Sequence, residues 1–319
     1  MKILVVQNRM GIGDSIMFLP FIEAISKKFG VAVTCLVKKS SKADELLKDN
    51  KFIKEFIFLE REKNEGYHDG IKGSINLIKK LRTCSFDKIF IFNSSLRFYL
   101  IAKFSGVHQI YQYPLFRKKK QHIILTAKNF LKRAIEIDVK NDPVINLEKK
   151  LIDSAKAEFG IDDKKKNILF GIGGSGPTKR VPANIIIKTM ELINNIYDCK
   201  FFLATGKSNG EQKILNEVLN SKLGKNCFAL DNYKIYNILP VIKNCNLSIC
   251  NDSSFSHLSS ALGVKTIVLM ADTPLIYGNY SSKMYPILPD GENSVSHNTL
   301  GKEKINSHKI FLKFKELIN

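Results

Sequence analysis

Apolar residues along the 319-residue chain fall into short runs separated by stretches of helical spacing, and the alternation is set out twice. In the first half KILVVQ, VAVTCLV, IKEFIFL, DKIFIF and VHQIYQY read as strands, rich in Val, Ile and Phe. Between them lie a helix from Asp14 to about Phe29, a short helix after VAVTCLV, and helices near residues 71–82 and 96–105. Apolar runs that alternate with helices predict a parallel sheet covered on both faces, because strands buried on both sides lose the in-out pattern of a half-exposed sheet.

At VKNDPV, around Lys140 to Pro143, the pattern breaks, and a helix ending at Gly160 follows. It then restarts with NILFGIG, KFFLATG, NCFALD, NLSIC and KTIVLMA as strands and helices at about 183–196, 209–221, 235–243 and 255–262. The expectation is an α/β protein of two Rossmann-like domains, residues 1–145 and 146–304, with a terminal helix at 305–319 that could cross back to the first domain. Ligand crevices are expected at the carboxyl ends of the strands of both sheets.

No apolar segment approaches the roughly 20 residues of a spanning helix, and Gln7, Asn8 and Arg9 interrupt the opening MKILVV, so a soluble, cytoplasmic protein is expected. The formal charge is +20, and most of the excess lies early: residues 1–150 carry 29 Lys and Arg against 15 Asp and Glu, the remainder 21 against 15. Such a field favours anionic partners, although lysine used for solubility gives the same count. The segment FRKKKQHIILTAKNFLKR (116–133) joins a basic cluster to an amphipathic spacing; it reads either as a helix on an anionic surface or as an ordinary helix with its apolar side in the core. The six cysteines show no C-x-x-C spacing, which indicates buried thiols and neither a zinc site nor a disulfide framework.

Three segments could carry chemistry. GIGDSIMFLP (11–20) follows the first strand and places Asp14 at the mouth of a helix, as a cap or as a general base facing the crevice. GIGGSGPTKRVP (171–182) is a glycine-rich loop between strand and helix, with Lys179 and Arg180 where cations would meet phosphate; it lacks P-loop spacing. In NDSSFSHLSSALGVKTIVLMADTP (251–274) a strand ends at Cys250 and a helix begins near Ser254, where Asp252, Ser253 and Ser254 cap its amides or share them with a diphosphate; His257 in the first turn could donate to phosphate.

Taken in order, these segments resemble glycosyltransferase family 9, the ADP-heptose heptosyltransferases of lipopolysaccharide assembly. The shared pattern comprises Gly13, Asp14 and Pro20, then Lys179 and Pro182, then Asp252, Ser253, His257, Leu258, Ala261 and Leu262. The resemblance implies GT-B architecture, two Rossmann-like domains facing across a cleft, and inverting transfer without metal or cofactor. By it Asp14 would deprotonate the acceptor and Lys179 would stabilise the leaving diphosphate. The helix start at Asp252, Ser253, Ser254 and His257, assisted by Ser175, would hold the donor phosphates, Glu211 and Tyr233 the base and ribose, and Arg97 and Arg117 the acceptor. The implied partners are a nucleotide-sugar donor and an anionic glycan or glycolipid, with peripheral contact at the inner membrane face. Nucleic acid is not expected, since no aromatic-rich basic motif is present. Ser254 replaces the family's glycine after D-S/T, Ala271 stands where its G-P-T-x-P has glycine, Val181 replaces an aromatic, and no Trp occurs. These departures lie on the donor side, so another nucleotide sugar, or binding without catalysis, stays open.

Overall fold

The computed structural model describes residues 1–9, 11–61, 66–115, 122–140 and 142–318. It divides into Met1–Pro143 and Val144–Asn319, within the VKNDPV break. The first unit runs β1 (Ile3–Val6), α1 (Ile12–Phe29), β2 (Val33–Val37), α2 (Ala43–Leu46), β3 (Ile53–Phe58), α3 (Gly70–Cys84), β4 (Lys88–Ile91), α4 (Leu96–Phe104), β5 (Gln109–Gln112) and α5 (Ile123–Ile135). Its five strands lie in the order β3-β2-β1-β4-β5, every pairing parallel. Order reverses at β1, so the loops leaving β1 and β4 part and open a crevice at the carboxyl end of the sheet.

Leu4, Val6, Ile89 and Ile91 of this sheet pack with Leu77 and Leu81 of α3 and with Phe98, Ile101 and Ala102 of α4. Elsewhere in the unit Phe18 of α1 and Phe130 of α5 each meet Phe92 edge-on at 5.3 Å between ring centroids. The apolar side of α5, including Ile123, Ile124, Ala127 and Leu131, is buried. That part of 116–133 is therefore an ordinary core-facing helix; the basic stretch 116–121 lies outside the described residues.

In the second unit the order is α6 (Lys149–Glu158), β6 (Lys166–Gly171), α7 (Ala183–Asn194), β7 (Cys199–Ala204), α8 (Asn209–Leu219), β8 (Cys227–Ala229), α9 (Ile235–Lys243), β9 (Leu247–Asn251), α10 (Ser254–Ala261), β10 (Thr266–Leu269), β11 (Met284–Ile287) and α11 (Ser307–Ile318). The six-stranded parallel sheet reads β11-β10-β9-β6-β7-β8, reversing between β6 and β9. Strand β11 was not expected from the sequence: Pro286 removes a ladder donor, which an edge strand paired only with β10 tolerates.

The terminal helix packs within the second unit. Ile310, Phe314 and Leu317 join the core formed with Ile186, Met190 and Ile193 of α7, and Phe314 meets Tyr197 at 5.8 Å. Burying that stripe supplies the stabilisation that fixes the helix there, since a short helix is marginal by itself. No helix among the described residues is long and apolar enough to cross a membrane. All six cysteines are free, and burial pushes the thiols of Cys35 and Cys250 up to about 12.

Candidate functional site

Where the second sheet reverses, β6 and β9 release neighbouring loops. Asn251, the last residue of β9 and almost fully buried, joins them: its Nδ2 donates to the carbonyls of Ile172 at 2.9 Å and Gly173 at 3.3 Å, and its Oδ1 accepts the Val181 amide at 3.4 Å. One side chain thus ties both ends of the glycine-rich loop to β9. Sequence reasoning passed over it; the available signal was an amide closing the apolar strand LSICN.

Glu211 sets the shape of that loop from below. It sits at the third position of α8 in a capping box with Ser208, whose hydroxyl donates to it at 2.6 Å, and it accepts the amides of Gly174 at 3.0 Å and Gly206 at 3.2 Å. A Cβ on Gly173 would stand 2.7 Å from Glu211 Oε1, and one on Gly206 2.6 Å from Oε2, so a side chain at either position would push the carboxylate out of these hydrogen bonds. Burial by itself would raise this carboxyl; hydrogen bonds from Ser208 and the Gly174 amide, with the nearby Arg180 charge, outweigh it and hold the group below the usual carboxylate range. Arg180 braces the same turn by donating Nε to the Gly174 carbonyl at 2.9 Å. Glu211, assigned from the sequence to the nucleoside, therefore has its oxygens engaged by the loop.

At the mouth of the loops Lys179 Nζ donates to Asp252 Oδ2 at 3.1 Å, and His257 Nε2 lies 4.0 Å from Asp252 Oδ1. The Asp252 side chain is 4% exposed and that of Lys179 22%, so the carboxylate is sealed in while the ammonium reaches solvent. On its other side His257 Nδ1 is 2.9 Å from the Tyr280 hydroxyl, and the two rings stack with planes 22° apart. Tyr280, missed in the sequence, thereby fixes the imidazole orientation. The motif spacing brings Lys179, Asp252 and His257 together from separate segments.

Ser253 is the N-cap of α10, yet its side chain makes no cap bond, and its buried Oγ has no hydrogen-bond partner. Ser254 opens the helix, whose first amides and positive dipole end face the same mouth. A buried hydroxyl without a partner is costly, and together with open amides it describes a place for an acceptor-rich anion. The buried Oγ1 atoms of Thr205, after β7, and Thr273, after β10, also have no partner. Ser175 stands exposed on the glycine loop. Asp272 was not singled out in the sequence: burial would raise its carboxyl, but the Leu300 amide, donating at 2.8 Å, together with Thr178 and Asn298 holds it low and ties the 298–300 segment to the glycine loop.

Tyr233, assigned from the sequence to the nucleoside, follows β8 and is partly exposed. Its ring packs against Phe159 at 4.9 Å and Phe228 at 6.1 Å. The Phe159 carbonyl accepts from Lys200 near the start of β7.

In the first unit Asp14 occupies the third position of α1, and its Oδ2 accepts the Gly11 amide at 3.1 Å, the cap contact that its position allowed. Its Oδ1 lies 3.7 Å from the half-exposed Arg9 guanidinium. The β1 and β4 loops are joined by Asn93 Nδ2 donating to Asn8 Oδ1 at 3.2 Å, so Asp14 stands beside the reversal of its sheet. Arg97, assigned to the acceptor, instead clamps the start of α3, donating to Ser74 Oγ at 2.8 Å and to the His68 carbonyl. Arg117 lies outside the described residues. Among the described residues no group of three or more His, Cys, Asp and Glu side chains could hold a metal ion.

Two parallel sheets, each reversing beside loops with charged side chains, define a two-domain α/β fold of the GT-B class. Solved structures agree: a family 9 glycosyltransferase from Veillonella parvula superposes with a TM-score of 0.78 at 18% identity, covering 99% of this chain and 97% of that one. The Escherichia coli ADP-heptose heptosyltransferase II gives 0.73 at 19% identity over 100% and 98%. The E. coli heptosyltransferase WaaC with ADP gives 0.74 at 13% over 99% of each chain. At such identities the likeness is one of fold. No curated protein matches in sequence. The family model for glycosyltransferase family 9 (heptosyltransferase) matches residues 75–298, and the chain belongs to that family.

Proposed function

We propose that this protein is an inverting, metal-independent glycosyltransferase that moves heptose from ADP-heptose to an anionic, lipopolysaccharide-type glycan at the cytoplasmic face of a membrane. The observation that carries the reading is the Lys179–Asp252–His257 cluster beside the N-terminus of α10, with the partnerless Ser253 hydroxyl in the same mouth. Displacing a nucleoside diphosphate needs positive potential where charge develops on the leaving group. Lys179 and the first amides of α10 supply it, with Ser175, Ser253 and Ser254 completing the donors, while Asp252 holds Lys179 ready until the diphosphate competes for it. Asp14, steadied by the Gly11 amide, takes the proton of the acceptor hydroxyl through its other oxygen, and Arg9 meets the acceptor's anionic groups.

A second reading, another nucleotide sugar or binding without transfer, is favoured by Ser254 and Ala271, which alter the donor side; the buried Ala271 also gives its carbonyl to the Gly301 amide at 2.9 Å. A thermal-shift panel of ADP, UDP, GDP, CDP and dTDP separates the readings, since a ligand that binds only the native state raises Tm. Selective response to ADP followed by turnover of ADP-heptose supports the first, response to another diphosphate moves the donor, and binding without turnover leaves the non-catalytic module. Asp14→Asn, which keeps an acceptor for the Gly11 amide, is expected to fold and to lose transfer; full transfer would remove Asp14 as the base.

A further inference from the structure

Thirteen large apolar side chains are exposed among the described residues, and six of them, Tyr67, Ile71, Ile75, Leu96, Leu100 and Phe104, belong to α3, α4 and the approach to α3. Ile71 and Ile75 lie one turn apart on α3, and Leu96, Leu100 and Phe104 follow one another at single-turn spacing on α4. The helices run side by side in the same direction: Arg97, near the start of α4, donates to Ser74 near the start of α3, and Arg82, near the end of α3, donates Nε to the Phe104 carbonyl at 2.8 Å. The two exposed stripes therefore flank one seam, while Leu77, Leu81, Phe98 and Ala102 take the opposite sides of the helices into the core. A contiguous exposed apolar ridge of this kind marks an interaction surface.

Charge says what covers it. Within α3 and α4 stand Lys72, Lys79, Lys80, Arg82, Arg97 and Lys103, and no Asp or Glu at all. Of the other helices, α6 carries Asp153 and Glu158 among its lysines and α8 carries Glu211 and Glu217 beside Lys213; α5, with Lys128, Lys132 and Arg133, is also free of acids but has no such run of exposed apolar residues. A second copy of the chain would set cations against cations across the seam, which is unfavourable. A surface that offers an apolar layer beneath a layer of phosphates matches both features.

We infer that the paired α3–α4 face docks this protein on an anionic lipid bilayer, with the ridge entering the headgroup boundary and the lysines meeting lipid phosphates. Leu96 follows three residues after Asn93, whose bond to Asn8 marks the crevice of the first sheet. Docking therefore lays this flank of the sheet along the lipid surface with Leu96 at the crevice end, close to where a lipid-linked acceptor would be presented. That last consequence rests on the proposed transferase function; the docking does not.

The test uses the purified full chain and sedimentation with vesicles of phosphatidylcholine alone or mixed with phosphatidylglycerol. Salt-sensitive binding to the mixed vesicles is expected, with little to phosphatidylcholine alone. Ile71→Ser/Leu100→Ser/Phe104→Ser should lose binding, and Lys72→Gln/Lys79→Gln/Lys103→Gln should weaken it roughly 100-fold, about fivefold per cation. All six side chains are exposed, so both variants should keep the wild-type Tm. Absence of binding to the mixed vesicles, or an apolar triple variant that binds like wild type, overturns the proposal. So does a concentration-dependent dimer in solution that the same variant abolishes. Turnover with a delipidated acceptor is the control: a wild type inactive there whose vesicle binding still follows the substitutions loses the transferase reading and keeps the docking.

Discussion

Replacing Lys179 with Met separates the two tasks of the Lys179–Asp252 pair. The side chains are similar in length, so packing is largely kept and the ammonium alone is lost. Asp252 is then left 4% exposed, with His257 Nε2 at 4.0 Å. Stripping one partner from a fully buried pair costs about 3–5 kcal/mol, and exposed pairs are worth at most about 1 kcal/mol. Because the lysine is about a fifth exposed, an intermediate cost of about 2 kcal/mol is expected, or roughly 4–8 °C in the melting of the second unit. Turnover should fall about 100- to 1,000-fold, the usual loss when one donor to a developing negative charge is removed. Lys179→Met/Asp252→Asn should recover most of the lost stability, since no buried carboxylate remains unpaired, while turnover stays low. Differential scanning calorimetry and the rate of nucleoside diphosphate release read the two effects separately. A single variant that keeps more than about a tenth of the rate, or a double variant no more stable than the single, would refute the reasoning.

Glu211→Gln places an amide where four donors converge and should cost about 1–2 kcal/mol, seen as a lower Tm with a raised donor KM and a largely unchanged kcat; a large fall in kcat with unchanged KM would contradict its supporting role. Asn251→Leu orphans the Val181 amide and the Ile172 carbonyl and should cost about 3 kcal/mol in denaturant unfolding, whereas a cost below about 1 kcal/mol would sink the staple. His68 is 2% exposed, its Nδ1 accepts the Glu60 amide at 3.0 Å, and burial, aided by Lys80 and Arg97, lowers its pKa. A group whose folded pKa is depressed contributes stability present above its unfolded pKa, about 6.5, and lost as pH falls toward the folded value. Between pH 7.5 and 5 the Tm should therefore decline, and His68→Asn should flatten the decline; an unchanged slope rules the assignment out. Asp272→Ala frees the Leu300 amide and should speed proteolytic cleavage near 298–300, with equal cleavage rates as the refuting result.

Much of the fold was legible because parallel α/β units write their elements as separate apolar runs, each buried locally by its own helix. The run LSICN and the restart at NILFGIG belong to strands that lie next to each other in the sheet. Strand β11 escaped because Pro286 breaks the pattern, and α11 could be placed as a helix but not assigned to a neighbour, since a stripe of apolar residues does not name the surface that covers it. In the site, motif order selected Lys179, Asp252 and His257, whereas Asn251, Tyr280 and Asp272 went unread: each acts through hydrogen bonds to partners distant in the chain, which leave no period in the sequence.

Glu211 and Arg97 show the reverse limit. Each is a residue type suited to ligand contact, and each engages polar atoms with the protein itself. Local sequence alone determined the alternation of strands and helices, the glycine turns and the residue types at the helix mouths, because these follow from backbone conformation and nearest-neighbour burial. Only the tertiary structure decided which side chains still had hydrogen-bonding capacity to offer, as Ser253 has, because that capacity is what remains after every distant partner has been satisfied.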